Sequence, residues 1–239
     1  MIKLAKFKLF LDAGHGGNDS GAVGHGLKEK DIVLEVCQRV DNYLAKHYPD
    51  IQCLLSRNDD TFVELRDRTS KANRLKSDCL VSVHVNSAAD NRANGFESFI
   101  YTTDDETTKS YALQQKLHKK LGGIWTSKGR RDRGQKKANF HMVREFKGAA
   151  VLVELGFIVN DKDAALLKSS DFLQQNAERI AEAVAEYAGV TKRVTDERMY
   201  RVIVDGKQTG AYAVNENVVS AFEKAVQSGA SKIEAELVK

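Results

Sequence analysis

Apolar and polar positions alternate along the chain in a way that predicts strands separated by helices. Short apolar runs predict buried strands at residues 7–11, 51–55, 79–87, 96–102 and 151–157. Apolar residues at helical spacing predict helices at residues 28–47, 63–75, 105–121 and 172–188, and the polar segment 122–138 is interpreted as a long loop. Because strands that alternate with helices form parallel sheets, we predict an α/β fold: a twisted, mostly parallel sheet flanked by helices on both faces.

The pattern changes after Ala188. The segment 191–197 is polar and has no apolar periodicity, so it is interpreted as a linker. Residues 198–239 then show two alternating strands joined at Asp205-Gly206, a helix and a last alternating strand. We therefore predict a large domain at residues 1–190, a linker at 191–197 and a small ββαβ domain at 198–239. A domain this small is expected to be stabilised by contact with a partner surface.

Composition narrows the class of protein. The chain has 239 residues, 42% hydrophobic and 29% charged, which suits one sizeable core and a small second unit. It has no run of about 18 apolar residues, and its first residues do not resemble a signal peptide. We therefore expect no membrane insertion and production in the cytoplasm. Cys37, Cys53 and Cys79 are odd in number and widely spaced, which favours buried free thiols in a reducing compartment.

Charge is concentrated in one short segment. The net charge of the chain is only +4, but residues 128–137 (KGRRDRGQKK) hold six basic residues and one acidic residue. This segment is interpreted either as a solvated loop or as a rim that attracts an anionic polymer. Because no aromatic residues lie between the basic ones, we expect no binding of nucleic acid.

Two histidines and a glutamate have positions that suit a metal site. His15 lies in the glycine-rich segment DAGHGG directly after the first strand, which lacks the Lys-Ser or Lys-Thr of a phosphate-binding loop. Strand alternation places His84 at the end of a strand, and helical spacing turns Glu29 inward in a first helical turn. Two imidazoles and one carboxylate suit Zn²⁺ and leave a coordination position open for water. Taken singly, His15 is also compatible with a turn residue, His84 with a hydrogen-bonded core histidine, and Glu29 with a helix-start residue.

Glu154 is the only charged residue in the apolar run VLVELGF. A buried carboxylate without a partner is costly, so Glu154 must be protonated, paired with a basic residue, or placed beside a cation. An ion pair is the structural interpretation, and a general base beside a metal-bound water is the functional one.

Five motifs in order carry a family resemblance: LDAGHGG, GLKEKD, SVHVNS followed by GFESFIY, RGQKKANFHMVRE, and VLVELGFIVN. Together they resemble the zinc-dependent N-acetylmuramoyl-L-alanine amidases called amidase 3, over about residues 6–190. The resemblance implies hydrolysis of the amide between N-acetylmuramic acid and L-alanine of peptidoglycan, with His15, Glu29 and His84 as Zn²⁺ ligands and Glu154 as the catalytic carboxylate. The chain departs from the family pattern at Ala13 and in the segment 147–149, where prolines are usual.

Three further residues are candidates for supporting roles. Asp12 is interpreted either as an acceptor that orients a ligand histidine or as a cap of the turn. Asn86 is a candidate for substrate binding, with tying down a loop as the alternative. Arg57 resembles a family arginine and is a second candidate for substrate binding, although a salt bridge at a helix start accounts for it equally well.

The C-terminal stretch YRVIVDGKQTGAYAV resembles the wall-binding modules that follow amidases in Bacillus phage endolysins. This resemblance implies a phage endolysin that acts on the wall after release, with peptidoglycan and anionic wall polymers as partners and possible association through the C-terminal domain. The alternatives are a host sporulation or mother-cell lytic amidase, a zinc peptidoglycan carboxypeptidase, and a non-catalytic wall-binding protein. A dimerisation module is the alternative for the C-terminal domain alone.

Overall fold

The computed structural model describes residues 7–193, 200–212 and 215–237. The chain divides into two compact units, residues 1–192 and residues 193–239, which are described separately here. Within the predicted linker 191–197, residues 194–197 lie outside the described residues.

A six-stranded sheet forms the centre of the first unit. Its strands are β1 (Phe7–Ala13), β4 (Ile51–Leu55), β5 (Cys79–Asn86), β6 (Phe96–Ile100), β7 (Asp132–Lys137) and β8 (Ala149–Phe157), and two short strands, β2 (Val23–Gly24) and β3 (Leu27–Lys28), pair beside it. The order across the sheet is β4-β1-β5-β8-β6-β7. The pairs are parallel except for β6 with β8, so the prediction of a twisted, mostly parallel sheet is confirmed.

Helices cover both faces of this sheet. They are α1 (Glu29–His47), α2 (Leu65–Arg74), α3 (Lys109–Ser127), α4 (His141–Glu145), α5 (Asp161–Leu167) and α6 (Ser170–Ala188). Val81 and Val83 of β5 pack into a large core with α1, α3 and α6, whereas Leu80 packs into a smaller core with α2 and α4. The alternation along β5 therefore places the polar residues Ser82 and His84 on the α2 and α4 side.

The prediction of a long loop at residues 122–138 is wrong. Helix α3 continues to Ser127, and β7 forms the edge of the sheet beside β6. Gly122 and Gly123 suggested a helix end, but burial of Trp125 in the next turn outweighs their low helix propensity. Strand β7 has no apolar residue that would identify it as a strand. Charged side chains are common on edge strands, because they discourage pairing with another chain.

The second unit has the predicted ββαβ order. It contains β9 (Tyr200–Val204), β10 (Lys207–Tyr212), α7 (Asn215–Gln227) and β11 (Ile233–Leu237), and the strands form an antiparallel sheet in the order β10-β9-β11. Val202 and Ala225 are its buried apolar residues within the described part. No helix in the described residues of either unit is long and apolar enough to cross a lipid bilayer.

Candidate metal centre and active site

The loop that follows β1 holds His15 in an uncommon backbone conformation. His15 has φ 60°, in the left-handed region that non-glycine residues adopt rarely. Two buried arginines hold this loop in place. Arg68 Nη2 donates to the His15 carbonyl at 2.6 Å, and Arg57 Nη2 donates to the Gly14 carbonyl at 2.8 Å. The surrounding structure thereby supports a conformation that the backbone alone disfavours.

Glu29 is the first residue of α1 and is buried. The backbone N–H of Ala22 donates to Oε2 at 2.8 Å, and the backbone N–H of Val85 donates to Oε1 at 3.0 Å. These bonds and the positive end of the helix stabilise the ionised carboxylate. Glu29 is therefore a fixed anion at the carboxyl ends of β1 and β5.

The structure brings His15, Glu29 and His84 together. His15 Nε2 lies 3.1 Å from Glu29 Oε1, and His84 Nδ1 lies 2.9 Å from the same oxygen. One ligand atom from each residue lies within 4.8 Å of the others, which is the spacing of a metal-binding group. Two imidazoles and a carboxylate are a donor set that suits Zn²⁺, so the residues present fit this metal.

Gly14 makes this convergence possible. A Cβ atom at Gly14 would lie 2.3 Å from Cε1 of the His84 ring. Such a contact is far shorter than van der Waals distance, so any side chain here would displace the ring. The glycine therefore lets the first loop approach β5 closely.

The charges of the three residues depend on each other. Burial opposes a charge on His15, but hydrogen bonds and charges of Glu29 and Asp19 outweigh it and raise the pKa of His15 to about 9. Burial likewise opposes ionisation of Glu29, and the two imidazoles reverse this effect and hold the pKa of Glu29 well below its usual value. For His84, Glu29 and Glu154 outweigh burial and raise the pKa.

Asp19 is a functional residue that the sequence analysis missed. Its Oδ2 atom lies 2.8 Å from Nδ1 of His15, on the side of the ring away from Glu29. The backbone N–H of Gly21 donates to its Oδ1 atom at 3.0 Å. This carboxylate orients the ring and holds the proton on Nδ1, which leaves Nε2 for a metal. The irregular loop between the two residues offers no periodicity that predicts their contact.

Glu154 lies on β8, directly opposite His84 on β5. Its Oε2 atom is buried and has no hydrogen-bond partner among the described residues. Burial raises the pKa of Glu154 to about 8; the charge of His84 opposes this effect, and the charges of Glu29 and Glu97 add to it. A carboxylate without an ion-pair partner and with a pKa near neutrality is suited to proton transfer.

These residues line a cavity of about 420 Å³. His15, His84 and Glu154 form its polar side. The lining also includes apolar side chains that are unusually exposed for their type: Phe62 at 39%, Leu65 at 51% and Phe140 at 40%. Exposed apolar side chains beside converging polar groups are typical of a ligand-binding cleft.

Asp12 and Arg57 both take part in holding the loop after β1 in place. Asp12 accepts hydrogen bonds from Arg68 Nη1 at 2.8 Å and Ser82 Oγ at 2.7 Å, and it bonds to no histidine ring in the described part of the chain. It anchors Arg68 rather than a ligand histidine. Arg57 is buried and donates to backbone carbonyls of Ala13, Gly14, Lys30 and Asp59, so it supports the loop and neither faces the cavity nor forms the predicted alternative salt bridge.

Asn86 also lies outside the cavity lining. Its Nδ2 atom donates to Glu97 Oε1 at 2.6 Å, and its Oδ1 atom accepts from the Ser87 backbone N–H at 2.8 Å. Of the two predicted roles, this geometry matches the tying of a loop and does not place Asn86 at the substrate.

Comparisons with known proteins identify the family of this chain. A family model described as N-acetylmuramoyl-L-alanine amidase matches residues 9–186. The chain is 38% identical over 226 residues to the sporulation-specific N-acetylmuramoyl-L-alanine amidase of Bacillus subtilis strain 168, covering 95% of this chain and 83% of that protein. It is 40% identical over 185 residues to the endolysin of Bacillus phage SPP1, covering 77% of this chain and 67% of that protein.

Solved structures share the fold. The catalytic domain of the N-acetylmuramoyl-L-alanine amidase CwlV from Bacillus (Paenibacillus) polymyxa var. colistinus has a TM-score of 0.71 and 36% identity, covering 77% of this chain and 99% of that domain. The family match spans most of this chain, including His15, Glu29, His84 and Glu154. The chain therefore belongs to the amidase 3 family of N-acetylmuramoyl-L-alanine amidases, enzymes that act on peptidoglycan.

Proposed function

We propose that the chain is a zinc-dependent amidase that cleaves the bond between N-acetylmuramic acid and L-alanine. His15, Glu29 and His84 would hold the metal through the atoms that already converge on one point. Zn²⁺ in such a donor set is a Lewis acid that polarises a carbonyl and generates a nucleophile from water. The single observation that carries this proposal is the unpartnered carboxylate oxygen of Glu154 directly beside that cluster.

Glu154 is the proton-transfer group in this proposal. The carboxylate accepts a proton from the attacking water and returns it to the nitrogen of the leaving amine. Burial raises the pKa of Glu154 to about 8 in the metal-free chain, and the charge of a bound Zn²⁺ would lower it, so that the carboxylate would be ionised and able to accept a proton near neutral pH. The apolar side chains of Phe62, Leu65 and Phe140 exclude water from one side of the scissile amide.

Digestion of purified peptidoglycan tests the reaction. The zinc-loaded chain is expected to release peptides with a free N-terminal alanine, identified by mass spectrometry, and a chelator is expected to stop their release. A carboxypeptidase would instead shorten peptides from their carboxyl ends. A non-catalytic wall-binding protein would release no fragments with or without zinc.

Two biological settings share this chemistry. We propose that the enzyme is made in the cytoplasm and acts on the wall later, either as a phage endolysin or as a sporulation amidase. The alignment that covers 95% of the chain extends into the C-terminal unit and is to a sporulation-specific amidase, whereas the endolysin alignment covers 77%. This difference favours the sporulation setting. Expression of the gene during spore formation, and not from a prophage lysis operon, is the result that supports it.

We further propose that the C-terminal unit attaches the enzyme to the wall. It is a small unit of three strands and one helix, it is joined to the unit that carries the candidate active site, and its sequence resembles wall-binding modules. Its proposed partners are wall polymers, including anionic ones.

A further inference from the structure

A second charged cluster lies next to Glu154. In the order of the strands it is on β6 and β7, whereas the proposed metal ligands lie near β1 and β5, on the other side of β8. Glu97, on β6, is buried and lies opposite Glu154 in the pair of β6 with β8. Arg133 Nε donates to Glu97 Oε2 at 3.0 Å, and Lys136 Nζ donates to the same oxygen. With Asn86 on its other oxygen, Glu97 is bonded on both sides.

Arg133, Lys136 and Glu97 together carry one more positive charge than negative charge. Two cations share the single carboxylate of Glu97, whose side chain is only 4% exposed, while the side chains of Arg133 and Lys136 are 24% and 37% exposed. Arg133 uses only Nε for this bond, and its two Nη atoms have no hydrogen-bond partner within the described residues. The other buried carboxylate of this region, Asp163, has one cation, Arg130, and fills its second oxygen with backbone N–H groups.

Aromatic rings hold both cations in place. The Arg133 guanidinium lies 4.7 Å from the centre of the Phe157 ring, and Lys136 Nζ lies 5.8 Å from the centre of the Phe99 ring. Cation–π contacts and a shared carboxylate reduce the number of conformations of both side chains. Donors that are fixed before a ligand arrives bind it with a smaller loss of entropy.

The order of the strands indicates in which direction across the sheet the bound peptide extends. Across the sheet, the metal ligands of the β1 and β5 ends are followed by Glu154 on β8, then by Glu97 on β6 and the cations of β7. If Glu154 protonates the leaving nitrogen, that nitrogen lies on the β8 side of the scissile carbon. The peptide attached to the nitrogen then continues toward β6 and β7, with each strand about 4.8 Å further on.

We infer that Arg133 and Lys136 bind a carboxylate of the stem peptide that follows L-alanine, an inference that rests on the proposed function. A carboxylate from the substrate neutralises the excess positive charge and accepts hydrogen bonds from the free guanidinium nitrogens. The basic segment 128–137 therefore contributes a specificity site for an anionic peptide.

Two soluble substrates test this inference. N-acetylmuramoyl-L-alanyl-D-isoglutamine carries one carboxylate on its second amino acid, and its neutral analogue carries a primary amide there. The zinc-loaded full chain is expected to hydrolyse the carboxylate form with a kcat/KM about tenfold higher, the size of one charge-assisted hydrogen bond. Equal kcat/KM values for the two substrates overturn the inference.

Substitutions of Arg133 and Lys136 test whether these two cations cause the preference for the carboxylate substrate. Arg133→Gln and Lys136→Gln are each expected to lower kcat/KM for the carboxylate substrate more than for the neutral analogue, which brings the ratio of the two values close to one. Lys136→Arg keeps the charge and is expected to keep the preference. Lys137→Gln removes the same charge from the next, exposed position and is the matched control. An equal loss of rate on both substrates in Lys136→Gln means that the cluster only supports Glu154, and this result overturns the inference.

Binding of the reaction product separates this inference from the proposed reaction. By calorimetry, the full chain is expected to bind L-alanyl-D-isoglutamine about tenfold more tightly than the corresponding amide, a difference that Arg133→Gln removes. If this difference is present but neither substrate is hydrolysed, the proposed reaction fails and the carboxylate site stands. Equal affinities for the two peptides overturn the carboxylate site, whatever the activity.

Discussion

Glu154 has a buried carboxylate oxygen without a hydrogen-bond partner among the described residues. An ordinary buried glutamate is neutralised by a cation, but here the described residues supply none to Oε2. The neighbouring imidazoles of His15 and His84 act on it only through their charges. This environment distinguishes a proton-transfer group from a structural ion pair.

Glu154→Gln is expected to abolish hydrolysis without loss of metal. The amide is close in shape to the carboxylate but transfers no proton, so kcat should fall by about 10²- to 10⁴-fold. Rates on purified peptidoglycan and zinc content by elemental analysis are the two measurements. His84→Ala is the contrasting variant, because it removes a metal ligand and should lose both zinc and activity. Hydrolysis by Glu154→Gln at the unaltered rate would remove this role.

Asp19→Asn is expected to weaken zinc binding by about 10- to 100-fold, because the amide no longer holds the proton on Nδ1 of His15 as firmly. Competition with a chromogenic chelator measures the affinity. Asp90→Asn is the matched control, since Asp90 is exposed and pairs only with its neighbour Arg92. Affinities that fall equally in both variants would show a general effect of charge instead.

The pH dependence of zinc binding follows from the same contact. The pKa of His15 is raised from 6.5 to about 9, so the metal-free folded chain keeps a proton there that zinc must displace. Apparent zinc affinity should therefore rise at least about tenfold per pH unit up to pH 9 and then level off, and the rise is steeper at lower pH because the pKa of His84 is also raised. Asp19→Asn removes one cause of the raised pKa, so the affinity should level off at a lower pH. An affinity that is flat between pH 6.5 and 9 would contradict this assignment.

Among the elements, the long ones with an apolar side were predicted, whereas the polar strand β7 and the short helices α4 and α5 were not. Valine alternation identified β5 and located His84 on its polar face. The five polar residues and one glycine of β7 give no such signal, because the strand is held by its backbone pairing with β6 and by side-chain bonds such as His118 to Asp132. The contacts of Asp19 and Arg68 with His15 cross irregular loops, where spacing in sequence does not give distance in space.

Gly14→Ala tests the close approach of the first loop to β5. The added Cβ would lie 2.3 Å from His84 Cε1, so the ring must move and zinc binding should be lost. Gly123→Ala in α3 is the matched control, because its Cβ meets no atom within 4 Å. Alanine there should keep full zinc binding and raise stability by up to about 1 kcal/mol. Calorimetry and zinc content distinguish the two variants, and unchanged zinc binding in Gly14→Ala would contradict the argument.

Across the whole sheet of the first unit, the order of the strands places the proposed functional groups in a line. The proposed metal ligands, the proposed proton-transfer residue and the cation cluster follow each other across β1, β5, β8, β6 and β7. The antiparallel placement of β6 makes this possible, because its first residues, and not its last, reach the level of Glu154. All of these groups belong to the first unit, which also has its own two cores.

Removal of residues 193–239 should therefore separate wall attachment from hydrolysis. The chain ending at Lys192 is expected to cleave soluble N-acetylmuramoyl peptides with unchanged kcat/KM, because the site and both cores are intact. Its sedimentation with intact walls should fall, since two linked binding sites hold a polymer more tightly than one. Both lengths of chain carry Glu154→Gln in the sedimentation assay, so that the walls are not digested. Equal sedimentation of the full and the shortened chain would show that the second unit does not bind walls. Self-association would then be its alternative role, and the molar mass of the full chain in solution tests it.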